Sequence, residues 1–316
     1  MNKPSALPSA GHRPSAARHY PLLARLIARE AILARWAGRR TATLIVHEFV
    51  RFGIKQAWAC LFGGMMLALL LATHLWYPRD AALARYDFLV VSAVLIQIGM
   101  IRFGLETWEE AKVILIFHVV GTLMEIFKTA VGSWIYPEPG LLKVAGVPLF
   151  SGFMYAAVGS YIARAWRLFD FEFTRHPPLW ALAMLSFAIY INFFLHHYWI
   201  DVRLALFVAA GVLLGPSLVH FRIHRKHRAM PLLVGLLLVA IFIWFAENIG
   251  TFARAWVYPN QKAGWEMVSV AKLGSWFLLM LISYTLVAAV HGVVRYRRPV
   301  GSLLPPERSR LTPQEN

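Results

Sequence analysis

Two glutamates stand inside apolar segments of this chain, and the same short motif follows each of them. Glu125 opens the stretch EIFKTAVGSWIYP and Glu247 opens ENIGTFARAWVYP, so each lies nine residues before a Trp-x-Tyr-Pro element. A charged carboxylate within a membrane helix costs about 2.5–3.5 kcal/mol at the bilayer centre, and such residues mark pathways for protons, ions or substrates. The pair therefore predicts one shared site that binds a proton, a cation or a polar group of a substrate.

A structural role for the same glutamates is the alternative. Each carboxylate could cap a loop backbone or form a local ion pair, and Lys128, three residues after Glu125, is its neighbour on a helix face. The position that matches Lys128 in the second stretch is Gly250, so this pairing is not repeated. That difference favours the functional interpretation.

Three histidines and a lysine join the glutamates in the candidate polar site, which comprises Glu125, Glu247, His74, His196, Lys128 and His118. His74 and His196 could bond to the glutamates or carry protons, but hydrogen bonding at a helix end is the preferred interpretation. His118 shares a helix face with Glu125, and buried packing is its preferred role. These residues include no His-x3-His or Glu-x2-His pair, so we expect no metal and no cofactor.

The motif belongs to a longer internal repeat. Seven landmark residues recur after a constant shift of 122 positions: Trp58 and Trp180, His74 and His196, Glu125 and Glu247, Trp134 and Trp256, Tyr136 and Tyr258, Pro137 and Pro259, Gly152 and Gly274. Such self-similarity indicates a duplicated architecture. The Trp and Tyr of each motif are expected at the membrane interface, where amphipathic rings are favoured.

The composition predicts an all-α integral membrane protein. Hydrophobic residues make up 59% of the 316 residues and charged residues 15%, with a mean hydropathy of +0.55. About eight segments approach the roughly 20 apolar residues that a span requires: Ala57–Trp76, Tyr86–Ile101, Ala111–Ala130, Pro148–Trp166, Leu179–Tyr198, Arg203–Phe221, Met230–Ile249 and Val268–His291. The repeat divides them into two tandem four-helix units, residues 48–170 and 171–292. Because each unit has an even number of spans, the pseudo-twofold axis should run along the membrane normal.

The net charge of +16 is explained by topology. When the spans alternate, 24 of the 32 Lys and Arg residues fall on the N-terminal side, seven fall on the opposite side, and Lys128 lies within a span. The positive-inside rule then places both termini on the cytoplasmic side of a bacterial inner membrane. Membrane lipids are the expected partners of the excess charge, and nucleic acid is not expected because no long soluble basic face exists.

Both ends of the chain differ from the apolar middle. Residues 1–47 form a basic arm that we expect to be partly disordered, with an amphipathic helix over 21–40. This helix either lies on the lipid surface or is solvated, since Glu30 falls in its apolar arc. Residues 293–316 are predicted to be a disordered cytoplasmic tail. The single cysteine, Cys60, excludes a disulfide within the chain.

The segments GTLMEIFKTAVGSWIYPEPGLLKVAGVPLF and ENIGTFARAWVYPNQKAGWEMVSVAKLGSW resemble an uncharacterised bacterial multipass family, the domain of unknown function 817 family. The resemblance covers most of residues 48–292 and implies an integral membrane protein without a known activity. The Glu-x8-Trp-x-Tyr element and Gly146-Val147-Pro148 are also locally similar to membrane carotenoid cyclases and hydratases. Those enzymes carry acidic residues after the proline, whereas Leu149 and Phe150 follow here.

Two functions remain open from the sequence. The first is binding or transport of a small solute at a Glu-lined repeat interface. The alternative is a membrane enzyme that acts on a lipid-soluble, isoprenoid-like or carotenoid-like substrate, with the glutamates as acid and base. A water path to both sides would favour transport, and an apolar pocket that opens toward lipid would favour the enzyme.

Overall fold

The computed structural model describes residues 41–78, 80–223 and 227–296, and the helices dominate this part of the chain. The helices are α1 Thr41–Ala59, α2 Leu61–Trp76, α3 Arg85–Arg102, α4 Trp108–Ala130, α5 Phe150–Leu168, α6 Leu179–Leu195, α7 Arg203–Leu214, α8 Leu232–Phe252 and α9 Ala271–His291. A short 3₁₀ turn covers Pro259–Gln261. Two small antiparallel sheets pair β1 Lys143–Val144 with β2 Val147–Pro148, and β3 Glu172–Thr174 with β4 Leu218–Arg222 and β5 His227–Pro231.

The apolar helices suggest a membrane-embedded protein. Within the described residues, α4, α8 and α9 are long and apolar enough to cross a bilayer, and the pair α1 and α2, bent by 68°, counts as a fourth if it forms one span. Large apolar side chains also cover the outside of the helices, including Leu95, Leu115, Met184, Phe187 and Phe242. Water-exposed apolar surface on this scale is rare in soluble proteins, and lipid contact accounts for it.

Two predicted segments differ from the observed elements. The helix predicted over Arg203–Phe221 is wrong in its second half, because α7 ends at Leu214 and β4 follows. Pro216 stands just beyond that end, and proline cannot continue the hydrogen-bonding pattern of a helix. The first predicted span, Ala57–Trp76, contains the break at Cys60 between α1 and α2.

The termini lie mostly outside the described residues, including the amphipathic helix predicted over 21–40 and the tail from 297 onward. The start of the predicted disordered tail is an exception. The Phe173 N–H donates to the Val294 carbonyl at 2.8 Å, and the Tyr296 N–H donates to the Phe173 carbonyl at 2.9 Å. These bonds hold residues 294–296 beside β3.

Helices α4 and α5 pack closely because glycines remove side chains from their contact. A Cβ at Gly159 would lie 2.6 Å from the Phe117 ring, and a Cβ at Gly121 would lie 2.6 Å from Tyr155 Cβ. Small residues allow this approach between membrane helices. Helix α5 also contacts α2 and α9, and α9 contacts α6 and α8. The helices α5 and α9 therefore connect the two halves of the chain.

A buried ionic cluster fixes the far end of the α4–α5 pair. The Arg164 guanidinium is fully buried and lies 3.4 Å from Glu106 Oε1 and 3.9 Å from Glu110 Oε2. Glu110 also completes a capping box with Thr107 at the start of α4. Arg164 belongs to the span predicted over Pro148–Trp166, and the structure places its guanidinium inside the protein. Glu106 and Glu110 supply the counter-charges that such burial requires.

Candidate functional site

Glu125 lies near the end of α4, where the chain turns back across it. Helix α4 ends at Ala130, Gly132 adopts a left-handed backbone (φ +75°), and the Ser133 N–H donates to the Lys128 carbonyl at 2.9 Å. This is the Schellman type of helix ending. The reversal brings the residues of the Trp-x-Tyr-Pro motif toward the preceding turn of the helix.

Three aromatic donors bind the Glu125 carboxylate. The Trp134 indole N–H and the Tyr136 hydroxyl donate to Oε2, each at 2.6 Å, and the Tyr155 hydroxyl from α5 donates to Oε1 at 2.7 Å. The carboxylate belongs to a side chain that is only 4% exposed. Buried carboxylates require such donors, because an unpaired acceptor in the interior is costly.

Glu247 is bound in a related way near the end of α8. Arg254 stands 122 residues after Gly132 and is also left-handed (φ +53°), and the Ala255 N–H donates to the Gly250 carbonyl at 3.0 Å. The Tyr258 hydroxyl donates to Glu247 Oε1, and the Trp276 indole N–H from α9 donates to Oε2 at 2.5 Å. Both carboxylates are therefore held by their own motif and by the last helix of their own half.

The two motifs meet directly. Ile135 and Val257, which the shift of 122 relates, exchange two backbone hydrogen bonds of 3.0 and 2.9 Å. The Trp134 ring contacts the Tyr258 ring edge-on at 5.9 Å, and the Tyr155 and Trp276 rings lie 6.4 Å apart. The donors of one glutamate thus pack on the donors of the other, and Glu125 and Glu247 belong to a single cluster.

Lys272 adds a cation to this cluster. Its ammonium lies over the Tyr258 ring at 4.4 Å and over the Trp134 ring at 5.4 Å. Lys272 is not among the six residues of the polar site predicted from the sequence. We use the name aromatic–acid cluster for Glu125, Trp134, Tyr136, Tyr155, Glu247, Tyr258, Lys272 and Trp276.

The motif aromatics were expected at the membrane interface, and the structure turns most of them inward. Trp134, Tyr136 and Tyr258 are each 8–9% exposed, while Trp256 is half-buried and its ring fills the space above Gly250. Burial, followed by the nearby Glu125, raises the pKa of Tyr136, and burial followed by Glu247 raises that of Tyr258. Both hydroxyls therefore remain protonated donors near neutral pH.

The lysine and His118 of the predicted polar site do not bind the glutamates. Lys128 Nζ lies 2.9 Å from His197 Nε2 and 3.9 Å from the centre of the Phe193 ring, so the local pairing with Glu125 is replaced by a contact with α6 and the loop after it. His118 packs against Gly152 and lies 4.4 Å from the Phe153 ring, and its Nδ1 has no hydrogen-bond partner among the described residues.

The two repeated histidines occupy ordinary helix-end positions. His74 contacts the Phe252 ring at 5.4 Å. His196 caps α6, and its Nδ1 lies 2.9 Å from the Asn192 carbonyl oxygen. Hydrogen bonding at a helix end, the preferred interpretation from the sequence, describes His196. Within the described part of the chain, no three His, Cys, Asp or Glu side chains form a group that could hold a metal ion.

The space at the aromatic–acid cluster is small. A void of about 10 Å³ lies beside Tyr155 and Trp276, close to the lower limit for one water molecule. A larger apolar groove of about 510 Å³ runs between α7, α8 and α9 and is lined by residues such as Phe207, Leu233 and Phe277. In the described conformation the void beside the cluster therefore has room for about one water molecule, whereas the groove can accept an apolar chain.

Residues 48–284 match the family described as Protein of unknown function (DUF817), and the chain belongs to this family. The uncharacterized protein YoaT of Bacillus subtilis (strain 168) is 43% identical over 248 residues, which cover 78% of this chain and 93% of that relative. No solved structure matches the chain. These findings confirm the family resemblance of the sequence, and neither description states an activity.

Proposed function

We propose that this chain is a bacterial inner-membrane transport protein that binds a small solute and a proton at the aromatic–acid cluster. The observation that carries the proposal is the union of two buried glutamates from separate halves of the chain through their aromatic donors. Sites for substrates and coupling ions in many transporters lie at such interfaces between repeats.

The proposed architecture has eight membrane helices in two four-helix repeats, and α7, with 12 residues, is the shortest of them. The reciprocal hydrogen bonds between Ile135 and Val257 support a local twofold relation, because equivalent residues exchange equivalent bonds. The helix contacts support it further. In each half, the first helix contacts the fourth and the third contacts the fourth, namely α2 with α5, α4 with α5, α6 with α9, and α8 with α9.

Charge balance supports a bound proton. Two carboxylates and the Lys272 ammonium would leave a net charge of −1 in the cluster, and isolated buried charge is strongly unfavourable. One proton shared by Glu125 and Glu247 makes the cluster neutral. A neighbouring pair of this kind takes up and releases protons as a unit. Opening of the helices around the pair would give the solute access, since the described conformation is closed.

The proton is tested by infrared spectroscopy of purified protein at neutral pH. We expect the carbonyl stretch of a protonated carboxyl group, and we expect its intensity to fall in Glu125→Gln and Glu247→Gln. Glu266→Gln is the matched control, because Glu266 is exposed and makes its side-chain bond to Asn260. A wild-type band in both cluster variants would contradict a proton on the pair.

Transport is tested with the same variants in proteoliposomes that contain a pH-sensitive dye. Wild type and Glu266→Gln should show proton flux that depends on an added solute, whereas each cluster variant should lose it. The double variant should be little worse than either single variant, because parts of one site are not additive. Full solute-dependent flux in both single variants would overturn the shared site.

The proposed orientation, with both termini in the cytoplasm, has its own test. Reporter fusions after residue 295 should be active in the cytoplasm, and fusions near Pro139 should be active outside it. The expectation follows from the 24 to 7 division of basic residues. A cytoplasmic signal at Pro139 would contradict the proposed span count.

The lipid-soluble substrate is a second candidate, and the groove between α7, α8 and α9 favours it. Its lining is apolar and its volume of about 510 Å³ suits an isoprenoid-like chain. Neither glutamate is among its lining residues, so the groove supports binding more than acid–base chemistry. Extraction and analysis of lipids and pigments from a deletion strain distinguishes the two candidates, because a strain that has lost an enzyme accumulates that enzyme's substrate.

A further inference from the structure

Lys272 takes an unusual place in the aromatic–acid cluster. Its ammonium lies over the faces of Tyr258 and Trp134 at 4.4 and 5.4 Å, and these two rings donate hydrogen bonds to Glu247 and Glu125, respectively. Among the described residues, no carboxylate lies within ion-pair distance of Lys272. The ammonium therefore contacts the two ring faces directly, and the carboxylates of Glu247 and Glu125 lie behind these rings.

This arrangement has the features by which proteins recognise ammonium ligands. A cation over Trp and Tyr faces is attracted by the ring quadrupoles, and cages of this kind bind quaternary ammonium and methylated lysine groups. The hydrogen bonds to Glu125 and Glu247 draw the indole N–H and phenol O–H away from the cation. The ring faces are left directed toward the ammonium, with the negative charge behind them.

The other half of the chain lacks the cation at the matching position. The residue 122 positions before Lys272 is Phe150, whose ring contacts Tyr136 edge-on at 6.3 Å, as Lys272 contacts Tyr258. An apolar ring satisfies the packing on that tyrosine, so packing alone does not require a lysine here. Lys272 is half-buried, whereas Trp134 and Tyr258 are buried. The lysine side chain thus covers the two rings from the outside.

We propose that Lys272 is a built-in ammonium ligand, and that the solute of this site is a small organic amine that takes its place over Trp134 and Tyr258. Exchange of one ammonium for the other keeps the charge of the cluster constant, so the amine enters as the lysine side chain moves toward the surface. This inference rests on the proposed transport function, because it names the chemical class of the transported solute.

Chemical rescue tests the amine site without transport. Lys272→Ala removes three methylene groups and the ammonium, which together correspond to n-propylammonium. We expect this variant to have a lower Tm in detergent than wild type. Saturating n-propylammonium should raise its Tm by about 3 °C or more, because a ligand that binds only the folded state stabilises it. Propan-1-ol, which has the same chain without the charge, should not.

Three comparisons decide the result. The wild type and Lys262→Ala, which removes an exposed lysine outside the cluster, should respond little. Lys272→Ala combined with Trp134→Leu should lose the rescue. Equal responses to the amine and the alcohol, an equal response in Lys262→Ala, or no response in folded Lys272→Ala would each overturn the proposal. Where Lys272→Ala does not fold alone, the yield after extraction with and without n-propylammonium is compared, and equal yields overturn it.

The failures of the two proposals are separable. If n-propylammonium does not rescue Lys272→Ala while proton flux still depends on Glu125 and Glu247, the amine site is wrong and the proton site stands. Rescue by n-propylammonium together with wild-type flux in both glutamine variants would retain the amine site and remove the proposed proton-coupled function.

Discussion

The two glutamates occupy matching places in the chain and have different surroundings. Glu125 accepts three hydrogen bonds, from Trp134, Tyr136 and Tyr155. Glu247 accepts two, from Tyr258 and Trp276. The tyrosine of the motif is used identically in both halves. The tryptophan of the motif is not, because Trp134 donates to its glutamate directly, whereas Trp256 packs over Gly250 and the indole donor to Glu247 is Trp276.

A single glycine explains how the halves diverge. A Cβ at Gly250 would overlap the Trp256 ring, so this ring occupies the space where the other half carries the Lys128 side chain. Lys128 instead extends to His197. Trp256 is thereby held away from Glu247, and Trp276 of α9 supplies the indole donor. The second half of the chain thus keeps the buried carboxylate and its tyrosine donor, but a different residue provides the indole donor.

The largest expected effect is on stability when a carboxylate is removed. Glu125→Ala leaves three buried or half-buried donors without an acceptor and Glu247→Ala leaves two. Each such group that stays unpaired in the interior costs about 1–3 kcal/mol. Both variants should have a lower Tm in detergent, with the larger decrease at Glu125. Glutamine at either position should lose much less, since its amide can accept from an indole and donate to a tyrosine oxygen. A larger decrease for Glu247→Ala than for Glu125→Ala would contradict the difference between the sites.

Substitution of Gly250 by alanine should lower the Tm nearly as much as loss of a carboxylate. Gly250→Ala forces the Trp256 ring to move, and overpacking of this kind costs about 1–3 kcal/mol. Gly53→Ala is the control, because a Cβ at Gly53 has no neighbour within 4 Å. Thermal unfolding of the two variants measures the difference. Equal Tm values for the two variants would show that the position of the Trp256 ring does not require glycine at position 250.

Phenylalanine variants of three tryptophans should differ in thermal stability. Trp134→Phe and Trp276→Phe each remove a direct hydrogen bond to a carboxylate, and bonds to charged groups contribute about 1.5–3 kcal/mol. Trp256→Phe removes a similar volume without a direct bond to Glu247, so its Tm should decrease less. The three Tm values rank the variants. Should Trp256→Phe be the most destabilised, the assignment of Trp276 as the donor in the second half would be wrong.

The smallest expected effect concerns alkaline pH. The pKa values of Tyr136 and Tyr258 are raised in the folded protein, chiefly by burial, so the unfolded chain releases these protons first, near pH 10. Their contribution to stability is therefore present below about pH 10 and decreases as the pH rises above it. Tyr136→Phe and Tyr258→Phe should each flatten the fall of Tm between about pH 9 and 11. An unchanged slope in both variants would indicate that neither hydroxyl is a buried donor.

The residues of the two motifs predicted much of the cluster. Glu125 and Glu247 were identified by their apolar surroundings and by the repeat of 122 residues, and the structure brings them into one cluster. The donors from α5 and α9 could not be identified in that way. Tyr155 matches Phe277, and Trp276 matches Met154, so the two donors are one position out of register. A shift of one residue rotates a side chain by about 100° on a helix, which a comparison of aligned positions does not reveal.

By itself, the sequence determined the apolar helices, the family and the repeated Glu, Trp and Tyr positions, because these depend on residue types and on spacing along one chain. Only the tertiary structure decided that Trp134 and Tyr136 point inward to a carboxylate, that Lys272 lies over the rings of both motifs, and that Arg164 is buried with Glu106 and Glu110. These contacts depend on the rotation and separation of helices far apart in sequence. The same side chain type faces lipid, solvent or a carboxylate according to what the neighbouring helix presents.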